Sequence, residues 1–271
     1  MKNIFFISTL FFSFIISCNI DQENKTLQLG KKIVDIDGNF YETVIIGNQE
    51  WMKEHLNVIN FSNGDTIFHA KTKDQWSFAY ENEIPAYCNY DNNPIFSKKY
   101  GKLYNWYAVN DKRGLAPKGW SIPNYYKIKQ LMDNVSLICG DEKKKYGLGS
   151  NYRFSYTYKD LGDRLKSVYG WKSIDYSTEN PNGKDIVYFN ALPGGFRDYY
   201  GTFLKINETG VWWVNTTTQH TFGPTAYFNY IDRDEGKTIY CMSLYGWTKS
   251  FYLNSTCKGN GMSVRCINNN N

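Results

Sequence analysis

The chain is poor in the residues that most metal-binding and hydrolytic chemistries use. Only three of its 271 residues are histidine, namely His55, His69 and His220. They stand far apart, and with no CxxC anywhere the spacing gives no structural zinc site. Charge of one sign is scarce as well. Thirty-one basic side chains face 26 acidic ones for a net charge of +5, and Lys143-Lys144-Lys145 is the sole basic run. The concentrated basic stripe that nucleic-acid binding requires is missing, and the mild excess reads as solvated surface. No heptad pattern is sustained and no tandem repeat is present. No apolar run reaches the roughly 20 residues of a spanning helix. The longest, Ile4 to Ile16, has the length of a signal-peptide core.

That short run carries the most informative residue. Lys2 supplies a brief positive n-region, and Ile15-Ile16-Ser17-Cys18 closes the apolar stretch as a bacterial lipobox does. The expectation is a signal peptide over residues 1–17, lipid attachment at Cys18, a polar tether over 18–30 and one domain over 31–268. Cys18 aside, five cysteines remain: Cys88, Cys139, Cys241, Cys257 and Cys266. In an oxidising compartment all five are candidates for disulfide pairing, but an odd number leaves at least one outside any intrachain bridge.

Along the mature chain, KIVDID, FYETVII and QEWM alternate around two turn signals, Asp37-Gly38 and Gly47-Asn48, and predict a small antiparallel meander. From Asn60 to Pro94 the period is lost, which predicts irregular loops packed through aromatic side chains. Tyr104 to Val109 reads as one helical turn or a strand. Asn124 stands in capping position before Tyr125, Ile128, Leu131 and Met132, so a short amphipathic helix is expected from about 124 to 135. Cys139 to Tyr158 reads as an insertion-like loop, and Leu161 to Leu165 as a second short helix. The remainder returns to strands: FNALPGGFRDYYGTFL with Pro-Gly-Gly and Tyr-Gly turns, then VWWVNT, AYFNYI and MSVRCI.

The ordered phrases TVIIGNQEWMKEHLNV, YGKLYNWYAVND, LAPKGWSIPNYYKIKQL, LKSVYGW, FNALPGGFRDYYGTF, VWWVNT and GMSVRCI resemble the Fibrobacter succinogenes major paralogous domain over about Ile33 to Ile267. That family is abundant in secreted and lipoprotein-type chains of the Bacteroidota and Fibrobacterota. The resemblance implies an α+β domain similar to the C-type lectin-like group, with a twisted antiparallel sheet, two short helices and long irregular loops. It brings no established activity. The family commonly carries a cysteine ahead of its Gly-Trp phrase. Here Leu115-Ala116-Pro117 precedes Gly119-Trp120, which puts any bridge from Cys266 to that segment in doubt.

Each chemical candidate has a plain structural counterpart. Cys266 beside Arg265 suggests a reactive thiol, since a nearby cation lowers a thiol pKa, but a strand cysteine that is buried or disulfide-bonded is the favoured reading. Asp232-Arg233-Asp234-Glu235-Gly236 suggests calcium, the one cofactor considered, but lacks EF-hand spacing and reads also as a solvated turn. Trp213-Val214-Asn215-Thr216 lacks the acid of the lectin Trp-Asn-Asp phrase. Asp65-Thr66-Ile67 matches a short O-glycosylation pattern of exported Bacteroidota proteins. The best binding candidates are Arg197, Tyr199, Tyr200, Trp212, Trp213, Asn215, Tyr245 and Trp247. Flat aromatic faces stack on sugars or anchor proteins, and Arg and Asn supply directional hydrogen bonds. With Trp212 and Trp213 adjacent on a strand, alternation sends them to opposite faces and at least one into the core. The expected function is a membrane-anchored envelope lipoprotein of the outer membrane with a glycan- or protein-binding module. Its rivals are an enzyme related to the formylglycine-generating group and a structural component without ligand. Asp21 and Glu23 after Cys18 point toward surface export.

Overall fold

Period-2 alternation interrupted by glycine turns builds the first sheet. In the computed structural model, which describes residues 28–140, 160–173, 180–218 and 238–270, this part comprises β1 (Gln28–Leu29), β2 (Ile33–Val34), β3 (Phe40–Tyr41), β4 (Thr43–Ile46) and β5 (Gln49–Met52). β4 and β5 pair antiparallel from Thr43↔Met52 to Ile46↔Gln49, and Gly47 makes the two-residue turn at φ 63°, a backbone conformation open to glycine at little cost. Both predicted hairpins are present, but FYETVII breaks at Glu42 into β3 and β4, so β2–β3 forms its own two-stranded sheet and the expected single meander is divided. The ordered fold starts before residue 31, because β1 already pairs with β4.

Next come β6 (Phe68–His69), α1 (Lys73–Glu81), β7 (Ala86–Cys88), α2 (Pro94–Tyr100), β8 (Leu103–Tyr104), α3 (Trp106–Val109), β9 (Trp120–Ser121), α4 (Tyr125–Ile138) and α5 (Leu161–Leu165). α4 begins where the capping argument puts it: the Asn124 side chain accepts from the Lys127 N–H, and Ile128, Leu131, Met132 and Val135 form the buried stripe. Two corrections follow. Residues 60–94 are not wholly irregular, since α1 lies within them behind a Thr72/Gln75 capping box, and the described residues hold five α-helices where two were expected. α1 escapes a periodicity search because only Trp76 and Ala79 of its nine residues are buried.

The last part contains β10 (Phe196–Arg197), β11 (Phe203–Leu204), β12 (Thr209–Thr218), β13 (Thr238–Tyr245), β14 (Phe251–Thr256) and β15 (Ile267–Asn268). The main sheet has the order β1-β4-β5-β15-β9, a second sheet is β12-β13-β14, and β6-β7-β8 and two hairpins complete a mixed α+β architecture dominated by strands. MSVRCI joins a ladder only at its end, at Ile267. Before that it threads between sheets, through isolated bridges at Met262 and Ser263 and bonds from the Val264 and Cys266 carbonyls to Leu56 and Met52. AYFNYI and most of the expected 139–158 insertion lie outside the described residues.

β12 separates two apolar cores, which is why VWWV is a continuous hydrophobic run. Val211 and Trp213 point with Ile239 and Cys241 into a cluster holding Met52, Leu56, Tyr104 and Val264. Trp212 and Val214 point with Tyr240 and Met242 into another, closed by α4, Trp51 and Phe189. The Trp212 ring folds back over Gly210, where a Cβ would stand 2.3 Å from the indole, so only glycine fits.

Candidate functional site

The eight binding candidates divide into residues that build two turns and residues those turns display. Trp212 and Trp213 are both fully buried. Their indoles donate to His55 Nε2 at 2.9 Å and to the Tyr104 carbonyl at 2.7 Å, so neither offers a face to a ligand. Alternation did send them to opposite sides of the strand, and a core lies on each side.

Arg197 is likewise core, at 1% exposure. Its guanidinium donates to the carbonyls of Ala70 (2.7 Å), Thr72 (3.0 Å) and Gly201 (3.1 Å) and lies between the rings of Trp76 and Phe203. It ties the β10–β11 turn to the start of α1. That turn displays Tyr199 and Tyr200, whose ring centroids are 3.9 Å apart. Tyr80 of α1 stands beside Tyr199 at 5.5 Å. The Asn260 side-chain oxygen accepts from the Tyr199 N–H. Tyr200 is 59% exposed.

The second turn joins β13 to β14. Tyr245 is buried at the end of β13, and Trp247 stacks on it with centroids 5.4 Å apart and planes at 24°, while remaining 38% exposed. Tyr252 on β14 meets Tyr245 edge-on at 5.3 Å, and the Asn254 amide donates to the Tyr245 hydroxyl. Beneath the turn lies Lys166, 1% exposed. Its ammonium donates to the carbonyls of Pro181 (2.9 Å), Thr248 (3.1 Å) and Tyr245 (3.3 Å). Burial pushes its pKa down to about 8, against the opposing pull of Asp163. Lys166 thus fixes the backbone that carries Trp247. Sequence reading missed Lys166, Tyr80 and Tyr252; nothing in LKSVYGW marks its lysine as internal.

Asn215 is exposed on β12, beside the irregularity between Val214 and Thr217. The acidic 232–236 segment, Cys18 and His220 lie outside the described residues. Thr66 sits exposed on a turn closed by the Asn60↔Thr66 bridge.

Three of the described thiols lie in the core. Cys88, Cys241 and Cys266 are fully buried and free. Burial raises Cys88 and Cys241 to about 12 and raises Cys266 further, so all three are protonated at neutral pH. Cys257 is buried and Cys139, which ends α4, is half-buried. Leu115, ahead of the Gly-Trp phrase, belongs to the same apolar cluster as Cys266. Arg265 beside Cys266 is fully buried and donates to the Phe189 and Asn190 carbonyls. Burial lowers its pKa to about 9.

What the arrangement offers is two aromatic surfaces, each held rigid by a buried cation that binds three carbonyls. Among comparisons with known proteins, the profile of the Fibrobacter succinogenes major domain matches residues 44–268. No curated protein and no solved structure matches.

Proposed function

The chain belongs to the Fibrobacter succinogenes major domain family, and from that premise we propose that it is a cell-envelope lipoprotein with a glycan-binding module. It is anchored through Cys18 in the outer membrane, and its domain is of the C-type lectin-like group. The fold reading draws support from the sheet order, which places β15 between β5 and β9, and from helices set among long irregular connections. The observation that carries the binding reading is the Trp247 indole, stacked on Tyr245 and open to solvent over a turn that Lys166 holds. A flat, pre-positioned aromatic face loses little conformational entropy when a pyranose ring stacks on it. Tyr199 and Tyr200 on the Arg197-held turn form a second face of the same kind. The rival thiol-enzyme reading receives no support from the three buried, protonated cysteines.

The test is a glycan array probed with the full-length protein, with and without calcium, in parallel with Trp247→Ala and Tyr200→Ala. Loss of one stacking contact is expected to weaken binding by about tenfold, or about 1.4 kcal/mol. Each substitution also removes a ring contact within its turn, so stability should fall by about 0.5–1.5 kcal/mol, with the protein still folded in the assay. Saturable binding that neither substitution affects, or no glycan bound by the folded protein, would sink the reading. Binding to an envelope protein instead would transfer the role to that partner class.

A further inference from the structure

The β2–β3 hairpin is apolar on both faces. Its inner face is ordinary core: Ile33 and Tyr41 pack inward, and the Asp35 carboxylate accepts from the Asp37 and Asn39 N–H groups, the Asn39 amide and the Tyr41 hydroxyl. The Tyr41 hydroxyl in turn accepts from the Asn57 N–H. The outer face is the unusual one. Val34 and Phe40 are cross-strand partners, and they stand 52% and 73% exposed, with Ile36 at 54% and Leu29 of neighbouring β1 at 67%. Four large apolar side chains within twelve residues thus face solvent, on a hairpin too firmly held to turn them in.

Its charges are distributed unevenly. The Asp35 and Asp37 carboxylates both point inward; Asp37 accepts from the Ile59 and Asn60 N–H groups and the Asn60 amide. Glu42 pairs with Lys53 at 3.2 Å. Lys31, Lys32 and Lys118 are exposed, and Lys118 lines a cleft of about 290 Å³ against Val34, Ile36, Val58 and Leu115. Apolar tips flanked by lysines, with Asp35 and Asp37 turned inward and the exposed Glu42 paired to Lys53, match the headgroup region of an anionic bilayer.

The anchor supplies proximity. Ten peptide steps separate Cys18 from Gln28 and span at most about 35 Å, while a flexible chain of that length averages about 18 Å. β1 is therefore held within that reach of the membrane, and only three residues separate it from the first strand of the β2–β3 hairpin. We propose that the outer face of the β2–β3 hairpin docks on the lipid surface, with Val34, Ile36 and Phe40 inserted among the headgroups and Lys31 and Lys32 on phosphate. This rests on the lipid anchor at Cys18. It orients the domain with a defined face toward the bilayer.

The experiment uses the full-length protein made in cells, with Phe40 replaced by the photoreactive p-benzoylphenylalanine. The control places the same group at Ile95, which is also 73% exposed. Acyl incorporation is read on both proteins by mass. The expected result is acylated protein that crosslinks to phospholipid from position 40 roughly tenfold more than from position 95, as interfacial burial of one site requires. Acylated protein giving equal adducts at both positions, or protein adducts alone at 40, overturns the docking face and leaves the anchor standing. Absence of acylation removes the anchor, and the docking face with it.

Discussion

His55 should make the fold acid-sensitive in a way that one substitution isolates. The ring is almost wholly buried. Its Nε2 accepts from the Trp212 indole at 2.9 Å and its Nδ1 bonds the Tyr100 carbonyl at 2.8 Å, which fixes the neutral Nδ1–H tautomer. A second proton on Nε2 would face the indole N–H. Burial first, and the charge of Arg265 second, hold the pKa well below the ordinary imidazole range. In the unfolded chain the same ring titrates near 6.5. A depressed folded pKa contributes stability that is present above the unfolded value and is lost as pH falls, because only the unfolded chain takes up the proton. Between pH 7.5 and 5.5 that loss is about 1.4 kcal/mol, or about 4 °C in melting temperature for a chain of this size. The assay is urea denaturation of wild type and His55→Gln at both pH values. Gln keeps an acceptor toward Trp212 and does not titrate. The variant should be weaker at pH 7.5 and its deficit should narrow by about 1.4 kcal/mol at pH 5.5. Parallel pH profiles in the two proteins would refute the reasoning.

Asp185 runs in the opposite sense. Burial raises its carboxyl to about 6, so its contribution is present below the unfolded pKa and is lost as pH rises through about 6. Asp185→Asn, which can still accept from the Asn190 N–H, should raise the melting temperature at pH 8 and leave it unchanged at pH 4. An equal shift at both would discard the ionisation argument. Arg197→Met should cost about 3 kcal/mol or more, because the buried Ala70 and Gly201 carbonyls and the part-buried Thr72 carbonyl lose their donor at about 1–3 kcal/mol for each buried one. Arg197→Lys should recover little of this, lacking the planar fork. Denaturant midpoints measure both, and a loss below about 1 kcal/mol would show that water substitutes for the guanidinium.

How much of this was legible in the sequence depended on whether the determining contact was local. The Gly47 turn and the Asn124 cap act within four residues and were readable. α1 announced itself only through Thr72 and Gln75, a capping-box signal independent of hydrophobic period, and α2 through Asn93-Pro94. The burial of Arg197 and Lys166 could not be read, because most of their carbonyl partners are distant in sequence: Ala70 and Thr72 for Arg197, Tyr245 and Thr248 for Lys166. The same distance hid the role of Trp213. VWWV predicts a strand, but only the second core on its far side decides that both tryptophans are interior.

β15 has a consequence for how the protein is made. Ile267 pairs with Trp51 on one side and Ser121 on the other, partners over 200 and over 140 residues earlier. The main sheet therefore stays split until the chain has emerged past residue 267, whether from a ribosome or from a membrane pore. Closing loops that long is slow. Until then β1-β4-β5 and β9 are not joined, so loss of the final dozen residues should leave those strands apart and open to proteolysis.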